Sequence, residues 1–366
     1  MNLLRPSARR RALLIVLPVL TVACGDSAPE SDRSRTDSVS SKALRDSSAI
    51  GDGRAADVAD TSRNDTGATG RVPNELGRIP VLMYHLIEDA DGTYQVDRRH
   101  FREQLALLYT RGYRPVTMAQ LRDRQINLAA GLSPVVLTFD DASPSQFRYV
   151  ERNGALVVDS TSGWGILQAF SREHPDFPPV AVWCLLSAAE VGRSFFGDRG
   201  IEGQQSAWRF RKVQEVLKAG GELCNHTQWH MKLNRNTAPA VQEQIAKLAL
   251  AIDSAVPGYR PRTMALPYGL WPKDRGLAFA GRWTNPKGGV TTSYRHEAVM
   301  MVGGGLLKSP HAPDFFDAGP GRVNVPREEV QTPKQFTALL DRLEKSRYVS
   351  DGNPATVARP ATRSDD

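Results

Sequence analysis

Between residues 79 and 345, short apolar runs alternate with amphipathic stretches, and this alternation constrains the fold more than any other feature of the chain. Residues 79–84 and 135–139 read as buried strands. Between them Asp97 caps a stretch with Phe101, Leu105 and Leu108 at helical spacing, closed by Gly112. Thr117 opens a second, shorter helix. Residues 180–186, 222–225 and 263–266 continue the strands, and residues 208–217 and 239–252 the helices. One or two further strands fall within residues 289–303, and Thr332-Pro333 caps a last helix. This alternation predicts an α/β fold with a parallel sheet, most economically a distorted (β/α) barrel. Residues 146–179 break the rhythm and read as a long elaborated connection near the top of the barrel.

The flanks have a different composition. Arg5, Arg9, Arg10 and Arg11 precede an apolar run, residues 12–23, with no acid among them. About a dozen residues is too short for a spanning helix and suits the apolar segment of a secretory signal. The run ends on Ala23-Cys24-Gly25, which resembles a bacterial lipobox, where the cysteine is lipidated; an ordinary signal peptide is the alternative. Residues 25–77 are rich in Ser, Asp, Arg and Ala and contain no Phe, Trp or Tyr. They bury too little apolar area to offset ordering entropy and read as a disordered tether. The expected organisation is therefore a lipoprotein signal (residues 1–24), a tether (25–77), one folded domain (78–349) and a disordered tail (350–366). Such a protein is exported and held to the membrane of the cell envelope by a lipid on Cys24.

Charge and cysteine content exclude other classes. The 366 residues include 47 Lys+Arg and 40 Asp+Glu, a formal +7. Four of those charges sit in the signal, and no stripe of Lys/Arg with interleaved aromatics follows, so no nucleic-acid partner is expected. Three cysteines rule out a disulfide-stapled scaffold. Cys184 and Cys224, the two in the folded domain, either pair or serve as small buried apolar groups.

Three constellations sit just past the ends of strands, where barrel chemistry belongs. Thr138-Phe139-Asp140-Asp141 puts two carboxylates side by side at the exit of a buried strand, which is costly unless a cation neutralises them. His226-Thr227-Gln228-Trp229-His230 places two histidines four apart, a spacing that on a helix brings both to one face and to one metal. Leu266-Pro267-Tyr268-Gly269 is a rigid turn able to aim a backbone N–H or a ring into a pocket.

Together and in this order, the three resemble the polysaccharide deacetylases of carbohydrate esterase family 4, the NodB-homology domain. The opening Ile79-Pro80-Val81-Leu82-Met83-Tyr84-His85 is similar to the start of the poly-N-acetylglucosamine deacetylase branch. The resemblance implies metal-dependent removal of N-acetyl groups from an N-acetylglucosamine-containing polysaccharide. It assigns Asp141, His226 and His230 to one divalent metal, usually zinc, with cobalt and nickel as alternatives. Asp140 becomes the general base, and the Tyr268 backbone N–H an oxyanion donor beside Pro267. His85, at the end of the first strand, lines the site or serves as a structural histidine.

The pattern departs from the family at two places. Many members carry an arginine two residues before the proline of the third motif; here that position is Ala265. A late Leu-x-His motif, which commonly supplies the general acid, has no clean copy. His311 takes that role by position, with His296 behind it. Trp208 and Trp271 are candidate sugar platforms. Two rival readings follow: a non-catalytic carbohydrate-binding lipoprotein on the same fold, and a structural envelope protein.

Overall fold

A computed structural model describes residues 70–188, 194–198, 200–330 and 332–359. The signal, Cys24, the tether up to residue 69 and the last seven residues of the tail lie outside the described residues.

Seven strands form the barrel: β1 (Val81–Tyr84), β2 (Ser133–Phe139), β3 (Val182–Leu185), β4 (Glu222–Asn225), β5 (Thr263–Ala265), β6 (Ala298–Gly304) and β7 (Val323–Glu329). Each pairs in parallel with the next, and β7 returns to β1 through Leu82↔Glu328, closing the ring. A short strand, Tyr113–Pro115, extends the sheet beside β2. The (β/α) barrel expected from the alternation is the fold observed.

Parallel strands covered on both faces need apolar side chains on both, and β1 through β5 are buried at every residue. Alternation along β2 sends Val136 into the barrel lumen and Leu137 and Phe139 outward. On the outer face Phe139 stacks between Tyr84 of β1 (5.3 Å) and Trp183 of β3 (4.5 Å), an aromatic ladder across three neighbouring strands.

Among the described residues, seven α-helices cover or connect the strands: α1 (Arg98–Thr110), α2 (Met118–Arg122), α3 (Gly163–Glu173), α4 (Arg209–Lys218), α5 (Ala238–Ala255), α6 (Gly276–Phe279) and α7 (Pro333–Leu343). Their starts are chemically marked. Asp97 accepts from the Arg99 and His100 amides at the head of α1, and Thr117 and Gln120 form a capping box on α2.

Three features differ from the sequence expectation. The irregular stretch 146–179 contains a hairpin, Tyr149–Arg152 with Ala155–Val158, and then α3. It is thus an elaborated connection, as expected, but one with a hairpin and a helix of its own. The strand β7 and the hairpin strand Ala280–Thr284 were not foreseen. The folded domain also exceeds 78–349. Asn74 pairs with Val349, and the buried Glu75 carboxylate accepts from the Tyr348 hydroxyl (2.9 Å) and the Ala358 amide (3.0 Å). Residues placed in the tether and the tail thus close the end of the barrel where the strands begin.

Candidate active site

The strands deliver the three motifs to the opposite, C-terminal end. Beyond β2, the period of two places Asp140 on the lumen side with Val136 and Thr138. There it meets Arg327 of β7. The guanidinium donates to both carboxylate oxygens (2.8 and 2.7 Å) and to Thr138 Oγ1 (3.2 Å). Its Nε donates to the Met301 carbonyl (2.7 Å). That carbonyl lies where the β6–β7 register shifts between Met300 and Gly304.

Asp141 turns away from Asp140 through a left-handed backbone, φ 76°. Its Oδ1 lies 3.4 Å from the Nε2 atoms of both His226 and His230. The two histidines do not share a helix. His226 continues β4, and Thr227 (φ 69°) and His230 (φ 55°) fold the next residues into a loop. The Asn225 side chain accepts from the Thr227 amide (3.0 Å), and Gln244 of α5 accepts from the amides of Gln228 and Trp229. The spacing brings the imidazoles together, centroids 4.8 Å apart, by loop geometry rather than by a shared helical face.

Left-handed φ also occurs at Ala142, Tyr268 and the cavity-lining Tyr94, so six non-glycine residues of the site share it. Such backbone is costly and concentrates at functional sites. In the third motif Gly269 donates to the Leu266 carbonyl (2.9 Å). Its own φ is +67°, and a Cβ there would come within 2.9 Å of Val302. Only glycine fits that turn. Pro267 is buried beneath it, while the Tyr268 ring tilts against His230, centroids 4.3 Å apart.

The electrostatics separate the two aspartates. Burial alone would raise the Asp140 carboxyl, but the Arg327 guanidinium and the His226 imidazole hold it well below the usual carboxylate range. Burial opposes ionisation of Asp141 too, and the two imidazoles outweigh it. Burial depresses His85, partly offset by both aspartates.

Asp141, His226 and His230 offer one ligand atom each, all within 4.8 Å of one another. His226 Nδ1 donates to the Ala265 carbonyl (2.9 Å), which fixes the tautomer and leaves the Nε2 lone pair facing the cluster. That Nε2 is buried and has no hydrogen-bond partner. A carboxylate and two imidazoles with such an orphaned nitrogen fit a divalent cation of the zinc type and leave coordination positions open.

A cavity of about 490 Å³ opens over the cluster, with His85, Asp140, His226, His230, Tyr94 and Tyr268 among its lining residues. His311 is not there. It lies at the other end of the barrel, following Leu307, which pairs with Ile79 ahead of β1. Its ring faces Tyr348 (6.3 Å). His296 is buried against Tyr294 and bonds the Ala278 carbonyl. Neither can serve the site, because the strands separate them from Asp140. Trp208 packs on Tyr149, and Trp271 on Phe279, away from the cavity.

The arginine that pairs with Asp140 comes from β7, as Arg327, and not from the third motif. Arg260 and Arg262, close in sequence to the third motif, pair instead with Asp253 and with Asp123 and Glu297. Cys184 and Cys224 are register partners on β3 and β4, both buried and both free thiols.

Residues 190–280 match the family described as polysaccharide deacetylase, and that span includes both metal-site histidines and the Tyr268 turn. The barrel is of the polysaccharide deacetylase type. A chitooligosaccharide deacetylase from Bradyrhizobium sp. (strain ANU 289) is 36% identical over 90 residues, 25% of this chain and 39% of that protein. The chain thus spans under half the length of this curated relative. Among solved structures, the deacetylase PplD of Streptococcus pyogenes, in complex with acetate, superposes with TM-score 0.51 at 17% identity, covering 73% of this chain and 98% of PplD. IcaB from Ammonifex degensii gives TM-score 0.48 at 19% identity, covering 72% and 96%. The superposition on PplD covers more of this chain than the matched segment, so the shared fold is not confined to residues 190–280.

Proposed function

We propose that the protein is a metal-dependent N-deacetylase acting on an N-acetylglucosamine-containing polysaccharide at the cell envelope. One observation carries this reading: the Asp141–His226–His230 cluster stands beside an aspartate that Arg327 keeps ionised. A divalent cation held by those three residues would supply Lewis acidity and lower the pKa of a water molecule.

The chain's own groups divide the remaining work. Asp140 lies 4.0 Å from His226 Nε2 and gives one lone pair of each oxygen to Arg327. Its remaining lone pairs can accept a proton from water attacking the acetamide carbonyl. The amine that leaves must gain a proton. Asp140, which takes a proton from the attacking water, can pass one to that amine, while His85 lines the same cavity as a third imidazole. The Tyr268 backbone N–H, on its strained turn, is the donor toward the developing oxyanion.

Support for the glycan class comes from the similarity to a chitooligosaccharide deacetylase and from the match to the polysaccharide deacetylase family. Zinc is the proposed metal, and a lipid on Cys24 the proposed anchor, from the sequence of residues 5–25. Acetate release should be measured on linear poly-N-acetylglucosamine, chitin oligomers, peptidoglycan and acetylated xylan. Release from the N-acetylated glycans alone is expected. Glycan binding without acetate under any divalent metal would instead favour a non-catalytic carbohydrate-binding protein. The anchor is tested by labelling cells with a radioactive fatty acid, a label that Cys24→Ala should lose.

A further inference from the structure

We infer that Tyr94 and the ring of Tyr268 form a clamp for one pyranose ring of the substrate, with Tyr94 as a specificity-determining residue that no sequence motif marks. The inference rests on the polysaccharide reading above and concerns how the same cavity selects its glycan.

Both tyrosines line the cavity and both are largely in solvent, 46% and 54% exposed. Each leans on an imidazole of the site. Tyr94 packs on His85 (4.7 Å between centroids) and Tyr268 on His230 (4.3 Å). His85 follows β1 and Tyr268 follows β5, and these strands are as far apart as a ring of seven allows. The two rings therefore reach the shared cavity from well-separated strands, Tyr94 by way of His85.

The chain holds Tyr94 deliberately. It sits at φ 57°, the same left-handed value as Tyr268, in a conformation that a bulky residue adopts only when its surroundings impose it. Those surroundings are a short ribbon, Leu86–Glu88 paired with Gln95–Asp97, and the connection between its strands. Asp91 accepts from the Asp97 amide (2.8 Å) and bonds His100 Nδ1 (2.7 Å), tying the connection to the head of α1. Gln95 donates to the Ala90 carbonyl (2.8 Å), and the Leu86 amide to the Tyr94 carbonyl (3.0 Å). A rim made of Asp89, Asp91 and Thr93 would stay soluble without an aromatic ring. A fixed, exposed aromatic face beside a catalytic cavity suits a ligand with one flat apolar face and a polar edge. A pyranose with equatorial substituents has that shape, and preorganising the ring saves ordering entropy on binding.

The test uses the full chain, its Tyr94→Ala and Tyr94→Phe variants, and a β-1,6-linked N-acetylglucosamine pentamer. KM for acetate release should rise about three- to tenfold in Tyr94→Ala, with kcat little changed, and Tyr94→Phe should restore it. Calorimetric binding of the pentamer to metal-stripped protein should show the same ratio in Kd, free of turnover. Unchanged KM and Kd in Tyr94→Ala, at an unchanged melting temperature, would overturn the clamp. A fall in kcat alone would also overturn it, since Tyr94 would then act only through His85. Tyr94-dependent binding without acetate from the wild type would keep the clamp and remove the deacetylase reading. Acetate release indifferent to Tyr94 would do the reverse, and neither binding nor release would remove both.

Discussion

Arg327 donates through its two terminal nitrogens to the two carboxylate oxygens of Asp140, across 187 residues of sequence, and both side chains are sealed from solvent. This fork fixes both the orientation and the charge of the proposed base, two things a lone buried aspartate cannot keep.

Arg327→Ala should leave Asp140 buried without its counter-charge. The expected loss of stability is about 3–5 kcal/mol, read by urea unfolding. Arg327→Lys keeps the charge and loses the fork, so the fold should survive better than the activity. Acetate release in that variant should drop about 10- to 100-fold, the range for partners that orient site groups. Equal activity of Arg327→Lys and wild type would show that the fork is dispensable.

The metal-site prediction separates ligands from neighbours. His226→Ala and His230→Ala should each lower zinc content, measured by elemental analysis after dialysis, well below one per chain. Asp140→Asn should keep it, because Arg327 already occupies that carboxylate. Loss of zinc in Asp140→Asn as complete as in His226→Ala would make Asp140 a ligand rather than a base.

His296 carries a pH prediction away from the site. Burial pushes its pKa down to about 4, opposed in part by the Nδ1–H bond to the Ala278 carbonyl. Between the ordinary histidine value and about 4, the unfolded chain binds a proton that the folded chain refuses. Stability should therefore fall as pH falls through that window, by up to about 1.4 kcal/mol per pH unit from this group. His296→Gln should flatten that part of the curve in urea titrations at pH 4 to 7, whatever it costs at neutral pH. An unchanged slope would assign the acid sensitivity to other groups.

What was legible in the sequence was local. Thr138-Phe139-Asp140-Asp141, His226 to His230 and Leu266 to Gly269 are each contiguous and each lie at a strand end, so their order along the chain announces the site. The fold was legible for the same reason, since β1 to β5 are short, mostly apolar runs alternating with amphipathic helices. Arg327 was hidden because its role is long-range. Its strand reads Val-Asn-Val-Pro-Arg-Glu-Glu, half polar and interrupted by proline, unlike a central strand. The one available signal was the period of two that puts Val323, Val325 and Arg327 on the same buried face. His311 was favoured by its position in the sequence alone, which does not tell one end of a barrel from the other. The helical account of His226 and His230 failed because two left-handed residues fold that segment as a loop.

The central claim is that Asp140 acts as a base beside a metal that Asp141, His226 and His230 hold. Its most direct test is acetate release from poly-N-acetylglucosamine by wild type and by Asp140→Asn, with zinc content measured on the same samples. The account predicts about one zinc per chain in both, with release by the wild type that a chelator removes and no release by Asp140→Asn. Acetate released by zinc-loaded Asp140→Asn at the wild-type rate, or by chelated wild type, would contradict it.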